Sequence, residues 1–372
     1  MALQIGYNNF GHIYVGSTEI AEAYFGSIKV FPDTTPDYNP LGLPPYTMRF
    51  QFDNSAVDPT TLGVVDGTWS QVSSDPNVWD YTKTISPTDW ENVFSGKLIK
   101  NDIGTCSVLG ANTESVYYMG NMFGSCSSLK AITLFDTSSV LDMWRMFYGC
   151  SSLQAVPRFD TSSVNTMTGM FYGCALLQSV PLFNTSSATQ MTGMFEGCTL
   201  LQSVPLFDTS SATSMDIMFK NCSNIQTVPL FNTSSVVSMI GMFSSCSSLQ
   251  SVPLFDTSSV TSMYNMFWFC SSLQSVPLFD TSSVTAMNGM FYGCSSLQSV
   301  PLFDTSSVTN MNGTFDGCTD VATGALALYT QASTQANPPT NHSNCFTNCG
   351  RDTTTGAAEL AQIPTSWGGT MS

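Results

Sequence analysis

A chain of 372 residues exceeds the usual size of a single compact core, so several domains or an elongated repeat array is expected. It is 42% hydrophobic and 10% charged, and its formal charge of -16, with ten Lys and Arg in all, argues against nucleic acid as a partner, because tracking a phosphate backbone needs a basic surface. No run of about 18 uncharged apolar residues exists to span a bilayer as a helix, and the twelve cysteines read as thiols rather than as a disulfide frame.

The opening stretch "MALQIGYNNFGHIYVG" shows no basic start followed by an apolar run, so no standard secretory signal is expected, and the chain is expected to be made in a cytoplasm. Residues 1–34 hold "IYVGSTEI" and "AYFGSIKV", two alternating stretches that each turn at a Gly-Ser, which predicts small β-hairpins. Tyr14, Val15, Tyr24 and Phe25 are the candidate attachment residues of that segment. Residues 35–47 fall in a proline-rich stretch and form an extended linker. From 48 to 110, "MRFQFDNS", "GTWSQVS" and "NVWDYTKT" predict a β-rich domain that caps the first coil, since the end of a coil array exposes apolar surface.

Residues 111–318 repeat one line. Cys126, Cys150, Cys174, Cys198, Cys222, Cys246, Cys270, Cys294 and Cys318 recur every 24 residues without insertion, with a Met-Phe pair in fixed register. A constant period of this size marks a repeat solenoid of the α/β kind, with 24-residue coils that bury their apolar edges against one another. In "LQSVPLFDT", Leu201, Val204 and Leu206 fall at leucine-rich repeat spacing, which predicts a short parallel strand, although the proline of "VPLF" lacks a ladder donor and is expected to point outward. Thr209 and its equivalents Thr137, Thr161, Thr185, Thr233, Thr257, Thr281 and Thr305 are expected to hydrogen-bond the next coil's backbone. The return limb, Val260 to Cys270, has the spacing of a short helix. Cysteine fits as a small buried filler; the strand spacing of roughly 4.8 Å is wider than a disulfide's Cβ separation.

Residues 319–372 form a helical and partial-repeat cap. A helix is predicted from Val321 to Thr334, and "CFTNC" aligns with "MFYGC", so Cys345 takes a Met place and Cys349 is a tenth column cysteine. His342, Cys345 and Cys349 offer three zinc ligands with no fourth nearby, and the alignment already accounts for both thiols.

Two columns carry open alternatives. Asp136, Asp160, Asp208, Asp256, Asp280 and Asp304, with Asn184 and Asn232, cap the "TSS" turn or form a calcium ladder; the two Asn favour the cap. Strict alternation after Leu206 points Phe207 outward, which makes Phe183, Phe207, Phe231, Phe255, Phe279 and Phe303 a candidate binding strip on the exposed strand face. If instead the chain bends there, the rings pack inward, and an aromatic strip of this length on a free monomer would invite aggregation. Departures from the repeat, including Trp144, Arg145, Arg158, Lys220, Tyr264 and Trp268, are where specificity can enter. The two histidines, His12 and His342, have no matching nucleophile motif, Asp80, Asp89 and Glu91 read as surface carboxylates, and no enzyme, cofactor or metal is expected.

The lines "MFYGCSSLQSVPLFDTSSVT" resemble the BspA-like leucine-rich repeats of bacterial surface proteins and of phage-encoded proteins of gut bacteria, over about Ala111 to Cys349. The resemblance implies a right-handed solenoid and adhesion to cells or matrix. The N-terminal hairpins look like the starts of phage tail and fibre proteins. That implies a virion component, held to other virion proteins through its N-terminal segment, that presents the solenoid to a host cell-surface protein or glycan, as a homo-oligomer. A purely structural decoration or connector and a bacterial surface adhesin are the alternatives.

Overall fold

The computed structural model describes residues 38–54, 56–64, 66–98 and 105–371, and the backbone of five short N-terminal strands. Strands β1 (Ile5–Tyr7), β2 (Ile13–Val15) and β3 (Thr18–Ile20) pair antiparallel in that order, and β4 (Ala23–Phe25) pairs with β5 (Ile28–Phe31). Val15 opposite Thr18 and Phe25 opposite Ile28 match the two expected hairpins. Tyr14 and Val15 lie on β2, Tyr24 and Phe25 on β4; their side chains, like linker residues 32–37, lie outside the described residues.

The N-terminal cap is a five-stranded sheet in the order β10-β9-β6-β8-β7, made of β6 (Thr47–Phe52), β7 (Gly67–Gln71), β8 (Val78–Lys83), β9 (Cys106–Asn112) and β10 (Leu129–Ile132). Alternation along β6 buries Met48, Phe50 and Phe52 and turns Arg49 to a bidentate pair with Asp80 at 2.7 and 2.8 Å. Phe50, Trp69, Tyr81, Trp90 and Phe94 pack ring against ring over the end of the coil stack. β9 then runs parallel to β10, which already belongs to the first coil.

From there the chain stacks coil on coil. Parallel bridges join Asp89, Tyr118, Asp142, Thr166, Gln190, Ser214 and on through Asn310 to Asn341, each residue above its equivalent. The stack thus begins with the limb from Asp89, one limb earlier than the expected boundary near residue 111, because "DWENVF" bonds to the coil above it: Trp90 N to Tyr118 O at 2.8 Å and Phe94 N to Met122 O at 2.9 Å.

Two expectations within the coil are corrected. The return limb is not a helix. In the coil of Met215, alternate amides reach the next coil (Met215 N to Ser238 O, Ile217 N to Ile240 O, Phe219 N to Met242 O), while those between close three-residue turns, as Met218 N to Met215 O and Cys222 N to Phe219 O. The cause is a pair of left-handed residues four apart in each limb, such as Gly169 and Gly173 (φ 61° and 72°) or Gly193 and Gly197 (φ 60° and 76°), which no helix tolerates. The continuous parallel ladder therefore sits on this limb, while the leucine limb has single coil-to-coil bonds, as Gln274 N to Gln250 O at 3.0 Å, and a parallel bridge, Ser299 to Thr323. On the leucine limb the proline removes the needed N–H, and β10, in the line "AITLF" that lacks proline, is the strand that does form among the described residues.

The core is a set of stacked columns. Met215, Met218, Phe219, Cys222 and their equivalents are fully buried. Phenylalanine rings stack at 5.2–5.7 Å from Phe94 through Phe123 and Phe219 to Phe346, and Phe346 then meets Trp367 at 6.5 Å. At the C-terminal end lie α1 (Ala325–Thr334), inside the span expected for a helix, and α2 (Thr354–Leu360). Cys345 follows the bridge at Asn341 as Met290 follows that at Ala286, and Cys349 is buried, as the alignment of "CFTNC" requires.

Candidate functional site

The phase of the leucine limb decides what the coil wall shows to solvent. Phe183, Phe207, Phe231, Phe255, Phe279 and Phe303 are 0–2% exposed, so the candidate outward strip is corrected and the inward alternative holds: each ring packs on the core column at 6.1–6.4 Å, as Phe195 to Phe207 at 6.1 Å. The exposed column is one residue earlier. Leu182, Leu206, Leu230, Leu254, Leu278 and Leu302 are 48–61% exposed and form an apolar ridge, with Arg158 in the same column below them. Alternation fails here because the chain turns after the valine: Phe159 N and Phe231 N close back on Pro157 O and Pro229 O at 3.0 Å, and Phe135 is just as buried in the line "AITLF" that has no proline.

Polar groups lock the next column. The Thr209 hydroxyl donates to Asn232 O at 2.7 Å, and Thr137 through Thr281 repeat the bond to the following coil at 2.7–2.8 Å, as expected of this ladder. Asp208 Oδ1 accepts from Ser210 N at 3.0 Å and Ser210 Oγ at 2.6 Å, the turn-capping role favoured for this column. The Ser210 hydroxyl and then its N–H hold the Asp208 carboxyl below the usual carboxylate range, and Asp256 and Asp280 follow the same pattern.

The thiols face inward. Every cysteine is a buried free thiol, and from Cys126 to Cys318 each column S–H donates to a carbonyl of the coil before, as Cys222 to Phe195 O at 3.1 Å. Burial raises each thiol, that of Cys126 to about 12, so this column holds coils together and offers no nucleophile. The three zinc candidates are not assembled into a site: the His342 ring stacks on Trp367 at 4.0 Å while Cys345 and Cys349 lie fully buried. Asp80 is paired with Arg49, and Asp89 Oδ1 accepts from Glu91 N.

Variation concentrates on the outer side of the bonded limb, where the left-handed residues sit. Two aromatic clusters occur there. Arg145 lies over the rings of Trp144 and Tyr148, 4.9 Å from each, and Tyr148 stacks on Tyr172 at 4.7 Å. Further along, Trp268 packs on Phe269 at 4.3 Å and stacks on Tyr292 at 6.2 Å, beside half-exposed Tyr264. A cleft of about 380 Å³ runs past them, lined also by Asn265, Asn288, Asn312 and Asp316 and floored by Gly289 and Gly313. Sequence reasoning singled out Tyr264 and Trp268 as departures. It missed Asn288 and Asn312, whose signal is that an amide replaces the Thr or Ile of other coils beside a glycine.

The family described as "Mycoplasma protein of unknown function, DUF285" matches residues 88–204, 153–252, 190–299 and 213–328 in overlapping stretches. No curated protein matches the chain. Among solved structures, a leucine-rich repeat protein from Eubacterium ventriosum is 17% identical with a TM-score of 0.32, over 51% of this chain and 57% of that one, so less than two thirds of that protein is spanned. The leucine rich repeat protein of T. pallidum is 19% identical with a TM-score of 0.31, over 56% of this chain and 81% of its own. The family matches run from 88 to 328, well over half of the chain, over the same residues that stack as coils, and the protein belongs to the family described as Mycoplasma protein of unknown function, DUF285.

Proposed function

We propose that the protein is a non-enzymatic adhesion protein whose solenoid presents its outer wall to a cell surface, and that residues 1–34 attach it to a virion as a tail, fibre or decoration component. One observation carries the adhesive part. The side chains that could do chemistry, the cysteines above all, are buried within the stack, whereas the leucine ridge and the aromatic clusters lie on the outer wall. An apolar ridge of this length on a soluble wall is the kind of surface that marks a binding site. The homo-oligomer expected of it would array several such walls. The test is binding of the purified full chain to candidate host cells; the triple variant Leu206→Ser, Leu230→Ser, Leu254→Ser should fold normally and bind at least about tenfold more weakly, following the loss of buried apolar area. Wild-type protein that ignores every cell type tested would overturn the reading.

The virion part is supported by the hairpin pairs of β2–β3 and β4–β5 at the start of the chain. A second location, the bacterial cell surface, is favoured by the family description, which names a bacterium. Fractionation of the native source decides: copurification with particles supports the virion, and copurification with cell envelopes supports the bacterial surface.

A further inference from the structure

We propose that the cleft beside Trp268 binds a neutral, chain-like oligosaccharide, an inference that rests on the adhesion reading and assigns a ligand class to one part of the wall. The cleft follows from the repeat. Tyr264, Asn288 and Asn312 occupy one column of three successive coils, and Trp268, Tyr292 and Asp316 occupy another. Between them, Asn265 is followed by Gly289 and Gly313 and then by Asn344, so the middle column loses its side chains over two coils and leaves a trench between the two asparagines. A Cβ at Gly289 would collide with the Asn265 carboxamide, and both glycines are left-handed, at φ 62° and 61°, so the floor is kept open by backbone geometry.

The chemistry of the walls selects the ligand. Aromatic faces at Trp268, Tyr292 and Tyr264 offer flat apolar platforms with polar edges, suited to the C–H face of a sugar ring. The Asn288 and Asn312 amides each carry donors and an acceptor, as pairs of sugar hydroxyls do. No cation lines the trench among the described residues, Asp316 stands at its edge, and the chain carries a charge of -16; an anionic glycan or phosphate would be repelled. An extended peptide is disfavoured because the backbone here is already bonded coil to coil, Asn265 N to Asn288 O, Gly289 N to Asn312 O and Gly313 N to Ser343 O, which leaves no free strand edge to extend. The wall rings Trp268 and Tyr292 stand 6.2 Å apart on successive coils, so this wall offers two adjoining platforms along the stack to an extended ligand.

The test is calorimetric titration of the full chain with linear neutral oligosaccharides of glucose, mannose, galactose and N-acetylglucosamine, beside carboxylated counterparts. Saturable binding of at least one neutral probe is expected. Loss of the ring in Trp268→Ala, or of both amides in Asn288→Ala with Asn312→Ala, should weaken it about tenfold or more, with circular dichroism unchanged. Tyr148→Ala, in the other aromatic cluster, should leave it unchanged. Absence of binding to every neutral probe overturns the inference, as does an affinity that Trp268→Ala does not move or a preference for the carboxylated probes. Cell adhesion by wild-type protein that binds none of the neutral probes would sink the glycan site and leave the adhesion reading standing. Oligosaccharide binding without cell adhesion would do the reverse.

Discussion

Phe207 and Leu206 are neighbours in the chain and opposites in the fold, and substitution separates them. Phe207→Ala opens a cavity in a stacked column and should cost about 3–5 kcal/mol in urea unfolding. Leu206→Ser removes a side chain that is 59% exposed and should stay within about 0.5 kcal/mol of wild type. The reverse ranking would return the phenylalanines to the outer face. The thiols make a second prediction at this scale. Burial raises them above their ordinary value of 9.0, so the folded state keeps protons that the unfolded chain releases. Their contribution is therefore fully present below pH 9 and is lost above it, at roughly 1.4 kcal/mol per pH unit for each thiolate formed only on unfolding. With twelve such groups, circular dichroism should report a steep alkaline transition beginning near pH 9, and a thiol reagent should label no cysteine at pH 8 until denaturant is added. The Phe-Leu phase could not be read from periodicity, because it is set by backbone turns, which hydropathy does not record.

At the scale of elements, the end of the stack shows how a repeat is stopped. Where an internal coil offers Thr209 a backbone carbonyl from above, the last threonine in line, Thr305, donates instead to Gln335 Oε1 at 2.7 Å, and Gln335 Nε2 returns a bond to Thr305 O at 2.9 Å. Gln331 Nε2 likewise donates to Phe303 O. Side chains at the end of α1 thus stand in for the absent next coil. Glu359 of α2 in turn accepts from Leu326 N at 3.1 Å and Gly324 N at 3.3 Å, which satisfies the amides that begin α1. Gln335→Ala should cost about 1–2 kcal/mol by orphaning a buried hydroxyl, and hydrogen exchange should show the loosening confined to the last coil and α1. The sequence announced α1 by composition, but nothing in it marks Gln335 as a surrogate backbone; that role exists where the helix end meets Thr305.

Across the whole molecule, cohesion passes from coil to coil, with little contact between distant coils, so stability should track coil number. Deleting residues 199–246, two whole coils, keeps every column in register and both caps in place. That variant should remain monodisperse and unfold cooperatively at a lower temperature. Deleting residues 319–372 uncovers the Phe315 and Cys318 face and should aggregate in size-exclusion chromatography. An intact, soluble protein after loss of that cap would contradict the account of the ends.

The sequence by itself determined the period, the stacked columns of Cys, Met, Phe and Thr, the N-terminal strand pairs and the two capped ends, because a repeat of constant length forces like residues onto like and their burial follows. It carried the Gly-Met-Phe-x-Gly spacing that forbids a helix on the return limb, although apolar spacing alone predicted one. Tertiary structure decided which limb bears the hydrogen-bonded ladder, that the leucines and not the phenylalanines face outward, and that Tyr264, Trp268, Asn288 and Asn312 gather around one trench. Each of these depends on backbone direction at turns and left-handed residues, and on which coils become neighbours in space, neither of which hydropathy records.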